Sequence, residues 1–271
     1  MIEKQTRAEI KGYLQGFVHA LIEEHRPEKR ASLVAERRVT YSSKEGGLKP
    51  FHEAIIPAEV IRISEFERSF STKLGTTFEE CARLIARQSF EVAQRGYKAS
   101  GRLPLAAAAK IEEIVAQLGQ KEKRLSFLDM IDLVLRIQDD TWVERPAIAD
   151  LYLKESNGRE HFFEIKSPKP NKGQCLEITE RLLRIHAIKQ ANRPSVNAYF
   201  AMGYNPYGRL KTSYQHSFSL QYLDIANQLL LGEEFWAYIG GADTFDQLLE
   251  IYQEVGYEMG KTIVDALAFD F

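Results

Sequence analysis

Hydrophobic positions along this chain follow a helical period through much of the first half and switch to alternation in two runs, Ile148 to Lys154 and Glu160 to Lys166. Ile10, Leu14, Phe17, Val18, Leu21 and Ile22 line one side of a helix predicted over residues 2–26 and closed by Pro27. Tyr41 to Pro50, rich in Ser, Gly and Lys, reads as a loop, and Glu53 to Phe70 carries a second helical pattern with a break at Pro57. Thr76 or Thr77 is placed to cap a helix containing Phe78, Cys81, Ala82, Leu84, Ile85 and Phe90, with Glu79 and Glu80 in a first turn where acids favour the dipole. Arg102 to Leu118 predicts another helix, while Phe127 to Gln138 fits a helix or a strand.

The alternating stretch predicts a β-hairpin. Ile148 to Lys154 and Glu160 to Lys166 flank Ser156-Asn157-Gly158, residues that favour turns with positive φ. A three-residue loop pairs Glu155 with Arg159 and sets Asp150 opposite Glu164, with β-carbons roughly 4.5 to 5.5 Å apart. A two-residue Asn-Gly turn would shift that register by one. In the three-residue register Leu151, Leu153, Phe163 and Ile165 share one face, which makes core, and Asp150, Phe162, Glu164 and Lys166 share the other, which makes a site.

Carboxylates facing each other in a sheet repel, so Asp150 and Glu164 call for a cation or a raised pKa. Mg²⁺ suits them, because it takes oxygen ligands in octahedral geometry and leaves room for water and a substrate phosphate. Lys166 projects to the same side, where an ammonium can orient or help deprotonate an attacking water and stabilise charge on phosphorus.

This arrangement resembles the PD-(D/E)XK nuclease superfamily, with Asp150 as the motif aspartate, Glu164 as its second acid and Lys166 as its lysine. Ala149 stands where the motif has proline, a residue that shapes strand entry and takes no part in the chemistry. The resemblance implies a restriction-endonuclease-like α/β fold, a mixed central sheet flanked by helices, here with a largely helical N-terminal region. It also gives Glu79 a role, since STKLGTTFEECARLIA is similar to the helix before the catalytic core, in which a glutamate reaches the metal site or the groups around its ligands; Glu80 is the reserve.

Beyond Lys166, the turn Ser167 to Gly173 brings Lys169 and Lys172, groups able to hold phosphates, with Gln174 following. Gln174 to Gln190 has helical spacing and leads to a strand, Val196 to Met202, through the crossover that parallel pairing needs. The next segment, GYNPYGRLKTSYQHSF, interleaves turn residues with Asn205, Tyr207, Arg209 and Lys211, side chains suited to base edges and phosphates; a packed Tyr-rich turn is the other reading. FEIKSPKPNKGQ followed by YFAMGYNPYG resembles the TdeIII family of type II restriction endonucleases, over roughly Phe66 to Tyr214. That resemblance implies cleavage of double-stranded DNA at a short palindrome, GGNCC in that family, by a homodimer with a cognate DNA methyltransferase as genetic partner.

Composition is that of a globular protein, 44% hydrophobic and 27% charged over 271 residues, enough for one large core. The net charge of −2 hides an asymmetry: nine Lys or Arg face two acids from Ile165 to Leu223, and ten acids face one base from Asp224 onward. A basic middle attracts phosphate; the plainer reading is that the acidic helices pair with it. Cys81 and Cys175 form no CxxC pair, no apolar run reaches membrane-spanning length, and the first residues begin no signal peptide, so a cytoplasmic enzyme without membrane association is expected. One domain is expected, mainly helical over 1–140, catalytic and DNA-reading over 141–223, and acidic helical over 224–271. Mg²⁺-dependent DNA cleavage is the leading reading; a structure-selective repair nuclease or junction resolvase, a non-catalytic DNA-binding module and a protein-interaction scaffold are the alternatives.

Overall fold

The computed structural model describes residues 1–26, 50–120 and 125–268, so the expected stop at Pro27 and most of the loop from Tyr41 lie outside the described residues. Helix α1 (Lys4–His25) buries Ile10, Leu14, Val18, Leu21 and Ile22. After α2 (Pro50–Ile55) the chain breaks at Pro57 as expected and enters α3 (Ala58–Ala86). Helix α3 runs straight through Gly75, Thr76 and Thr77, so neither threonine is a cap. A glycine inside a helix costs about 1 kcal/mol relative to alanine, less than burial of Cys81, Leu84 and Ile85 in the next turns returns.

Strands β1 (Val92–Ala99) and β2 (Arg102–Pro104) precede α4 (Leu105–Gly119), α5 (Phe127–Leu135) and β3 (Trp142–Glu144). The helix expected from Arg102 starts only at Leu105. Pro104 is extended and favours an extended residue before it, and Arg102–Pro104 pairs with Trp142–Glu144 instead. Phe127–Leu135 is helical, with the Ser126 side chain accepting from the Asp129 N–H.

Then follow β4 (Ala147–Lys154), β5 (Glu160–Lys166), α6 (Lys172–Lys189), β6 (Val196–Met202), α7 (Ser217–Tyr222), β7 (Leu229–Leu231), α8 (Glu233–Gly240) and α9 (Thr244–Ala268). Lys172 and Gly173, expected in a turn, already belong to α6, which Asn171 and Gln174 start with a reciprocal capping box. The central sheet runs β1-β4-β5-β6-β7, antiparallel on the β1 side and parallel on the β7 side. It is the mixed, helix-flanked α/β sheet expected, although β1 and β7 join it from outside residues 141–223.

The chain divides into two compact units. Met1–Thr6 with Gly75–Gln247 holds the sheet and its helices; Arg7–Leu74 with Leu248–Phe271 is helical. Within the second, α1 and α9 run in the same direction, joined by Arg7 to Glu254 at 2.5 Å and Lys11 to Glu258 at 2.6 Å. Arg62 donates to the Leu267 carbonyl at 3.2 Å, and Phe17 meets Phe70.

The hairpin takes the three-residue register. Leu151 pairs with Phe163 and Lys154 with Glu160, Glu155 N donates to Arg159 O at 2.9 Å, and Gly158 adopts φ +89°. Both faces of this hairpin are core. Phe162 meets Tyr152 and shares one buried cluster with Ile178, Leu182 and Phe200, while Phe163 meets Phe235 and Tyr238 of α8 on the other side. The expected division into an apolar core face and a polar site face therefore fails at Tyr152 and Phe162. Parallel pairing with β6 places α6 across that face, and only its Asp150, Glu164 and Lys166 end stays polar.

Candidate active site

Asp150 sits at a break in two ladders. The pairing of β4 with β5 ends at Leu151, and beyond it Ile165 N donates to Asp150 Oδ2 at 2.8 Å instead of to the main chain. On the other edge, Gly96 occupies the register position opposite Asp150 with φ +60°, and no atom lies within 4 Å of where its β-carbon would be. The positive φ at this position suits glycine.

Lys166 Nζ bridges the two acids, 3.1 Å from Asp150 Oδ2 and 2.7 Å from Glu164 Oε1. Arg181 from α6 adds a second cation to Glu164 Oε1 at 2.6 Å, and its other arm reaches Glu177 at 2.5 Å. The Glu164 side chain is 1% exposed, against 19% for Asp150 and 37% for Lys166. Burial, joined by the negative charge of Asp150, lifts the Glu164 carboxyl above the usual carboxylate range against the pull of Lys166 and Arg181. For Lys166, burial works downward, but Glu164 and Asp150 outweigh it and keep the ammonium charged. Lys166 thus stands between the two acids, where an ammonium can orient a water or help to deprotonate it.

Glu79 and Glu80 stand on α3 in the same compact unit. Arg95 of β1 holds both, at 2.8 Å to Glu79 Oε2 and 3.2 Å to Glu80 Oε2, and Arg83 binds Glu80 at 2.5 Å. Burial raises the Glu79 carboxyl, Arg95 opposes this, and the charge of Asp150 raises it further, so Glu79 feels the Asp150 field. Glu80 instead lies below its usual range, chiefly through its bond from Arg83. The approach of α3 depends on Gly203, since any β-carbon there would come within 2.7 Å of the Phe78 ring. Trp236 of α8 closes the same corner by donating to Gly203 O at 2.7 Å.

Glu164 Oε2 is buried and has no hydrogen-bond partner. An anionic oxygen in that condition points to a water or ion. Among the described residues no three His, Cys, Asp or Glu side chains gather into a metal-holding group. Two carboxylates, with waters and a phosphate filling the rest of the shell, nevertheless match a hard divalent cation.

The residues expected to meet DNA occupy the loop after β6 and the turn before α6. Asn205 ties its own loop, donating to Leu210 O at 2.8 Å and Ser213 Oγ at 3.1 Å and accepting from Tyr207 N at 3.0 Å. Arg209, 62% exposed, pairs with Glu233 and with Asp246 at 2.8 Å. Lys211 binds Glu234 at 2.8 Å and Leu229 O at 2.5 Å. The basic segment is thus partly neutralised by the acidic one. Lys169 lies over the Tyr207 ring at 5.5 Å; Lys172 donates to Gly119 O at 2.7 Å and sits over Tyr222; Gln174 is engaged in the α6 capping box. Tyr214 anchors the two segments to each other through its hydroxyl, 2.6 Å from Pro168 O.

Arg95 and Arg181 are the site groups to which the sequence motifs assigned no role. Arg181 falls on the second turn after the capping box, seventeen positions from Glu164, and only the packing of α6 on the sheet brings it there.

A mixed sheet with helices on both faces, ending in two carboxylates bridged by a lysine, is the restriction-endonuclease-like architecture. The chain belongs to the family "Type II restriction endonuclease, HinfI", which it matches over residues 2–256. It is 42% identical to the type II restriction enzymes HgiEI, HgiBI and HgiCII of Herpetosiphon aurantiacus, over 97% of this chain and 97% of each relative. The family matched is that of HinfI, where the motifs had suggested TdeIII enzymes. The protein is a site-specific deoxyribonuclease acting on double-stranded DNA, of a class that generally uses divalent metal ions. No helix among the described residues is long and apolar enough to cross a membrane.

Proposed function

We propose that this enzyme cuts duplex DNA at a short palindrome with Mg²⁺ held by Asp150 and Glu164; GGNCC is the site that the TdeIII resemblance implies. The observation that carries the metal reading is the buried, partnerless Glu164 Oε2 beside a second carboxylate. Mg²⁺ bound there would polarise the scissile phosphate and screen the leaving oxygen. Lys166 orients the attacking water and stabilises charge as it builds on phosphorus, a role that its place between the two acids supports. Asp150, held by the Ile165 N–H, keeps its carboxylate fixed at the ladder break. Glu79 is assigned to the edge of the metal site, steered by Arg95.

Lys169 and Lys172 hold the DNA backbone, and Asn205, Tyr207, Arg209, Lys211 and Gln174 meet the duplex from the neighbouring loop and helix start. Reading a palindrome symmetrically requires two copies about a two-fold axis, so the working form is a homodimer. A cognate methyltransferase protecting the same site is the expected genetic partner, and the cytoplasm the expected location.

Cleavage mapping on plasmid DNA with Mg²⁺ tests this reading. Discrete fragments ending at one palindrome are expected. Cuts confined to branched or damaged DNA would mean a structure-selective nuclease, and DNA binding without cleavage would mean a binding module.

A further inference from the structure

We propose that Arg181 is a positioning residue that locks the Glu164 carboxylate so that Oε2 is presented to the divalent cation. The inference rests on the assignment of Asp150 and Glu164 as metal ligands and adds to it the group that sets their geometry. Glu164 Oε1 already receives two cations, Lys166 at 2.7 Å and Arg181 at 2.6 Å, and Oε2 receives none. Lys166 cannot fix the carboxylate alone, because its single ammonium is shared with Asp150 on a flexible stem.

Arg181 has what Lys166 lacks. Its planar fork spends one arm on Glu164 and the other on Glu177, one helical turn earlier, so its plane is held at both ends. The helix beneath it is held in turn, by the Asn171–Gln174 capping box at its start and by buried Ile178, Leu182 and Ile185 along its inner face. A carboxylate gripped at one oxygen by such a frame has its rotation decided, and the second oxygen is left buried without a partner.

Simple charge repulsion predicts the opposite outcome to this proposal when Arg181 is removed, which makes the test sharp. Ca²⁺ and Mn²⁺ binding to the full chain without DNA is measured by calorimetry for wild type, Arg181→Ala, Arg181→Lys, Glu177→Gln and Asp150→Ala. Positioning predicts that Arg181→Ala weakens metal binding about 10- to 100-fold, the range for groups that orient ligands. Arg181→Lys recovers only part of it, and Glu177→Gln loses a smaller factor by freeing the second arm. In cleavage assays the Mg²⁺ concentration for half-maximal rate rises for Arg181→Ala while the rate at saturating Mg²⁺ stays within a few fold.

Unchanged or tighter metal binding in folded Arg181→Ala overturns the proposal. If Arg181→Ala does not fold, full affinity in both Arg181→Lys and Glu177→Gln overturns it equally. Loss of stability alone, with affinity intact, assigns Arg181 a structural role and has the same consequence. If Asp150→Ala also binds metal like wild type, the metal-site assignment itself has failed.

Discussion

At Glu164 one carboxylate oxygen carries two cations and the other carries nothing, whereas in the loop after β6 the side chains of Asn205, Arg209 and Lys211 all have partners within the chain. The first region holds an unmet need that a metal ion would satisfy. The second is largely satisfied already, so a DNA contact through the bonded groups of Asn205, Arg209 or Lys211 exchanges an internal partner for a base or phosphate. Such an exchange weakens binding to every sequence and leaves a net gain only where the DNA offers matching groups. The contrast sets a buried carboxylate oxygen that lacks a partner against loop side chains that are already engaged within the chain.

The largest expected effect lies in the first region. Lys166→Ala should lower the cleavage rate by about 10³-fold, the upper range for removing one group that stabilises developing charge. Some calorimetric stability should be lost, because the buried Glu164 is left with one cation fewer, while Ca²⁺-supported DNA binding by the folded variant is retained; a rate near wild type would remove Lys166 from the mechanism.

A control separates fold from site. His186, buried beside Phe127 with Nδ1 donating to Ala191 O at 2.8 Å, is pushed by burial down to about 4. The unfolded chain therefore takes up a proton between pH about 6.5 and 4 that the folded chain refuses, so stability falls as pH drops through that window. The loss should approach about 3 kcal/mol by pH 4, and His186→Asn should flatten this acid limb in urea unfolding. An unaltered limb would place the acid sensitivity elsewhere.

In the second region, Asn205→Ala should relax site choice, with the penalty for a wrong base reduced by about 1–3 kcal/mol in competition cleavage of substrates altered one base pair at a time. Equal weakening on all sequences would instead make Asn205 a loop brace and dissolve half of the contrast. The smallest effect is expected for Lys169→Ala. Affinity should drop uniformly, and the slope of log K against log salt should fall by about 1, as for a single phosphate contact. An unchanged slope would take Lys169 off the DNA.

The clustering of Asp150, Glu164 and Lys166 was legible in the sequence because its geometry is local. Ser156-Asn157-Gly158 dictates the loop length, the loop length dictates the register, and the register brings Asp150 beside Glu164 and Lys166. Arg95 and Arg181 come from other elements, and no spacing rule links them to the motif; only the packed sheet does. Strand β1 is not legible because Gly96, at positive φ and opposite Asp150 in the register, interrupts its alternation. Leu229–Leu231 is too short for periodicity to distinguish strand from helix. The cap expected at Thr76 or Thr77 failed since local helix signals say where a helix can begin, not whether an earlier one continues into it.

Asp150→Ala tests the central claim most directly, measured as Mg²⁺-dependent cleavage and Ca²⁺-supported binding of the same duplex. The account predicts cleavage reduced by about 10³-fold or more, with duplex binding retained and the roughly 2.7 kcal/mol of stabilisation expected from Ca²⁺ at a hundred times its Kd abolished. Cleavage at the wild-type rate, or undiminished stabilisation by Ca²⁺, would contradict it.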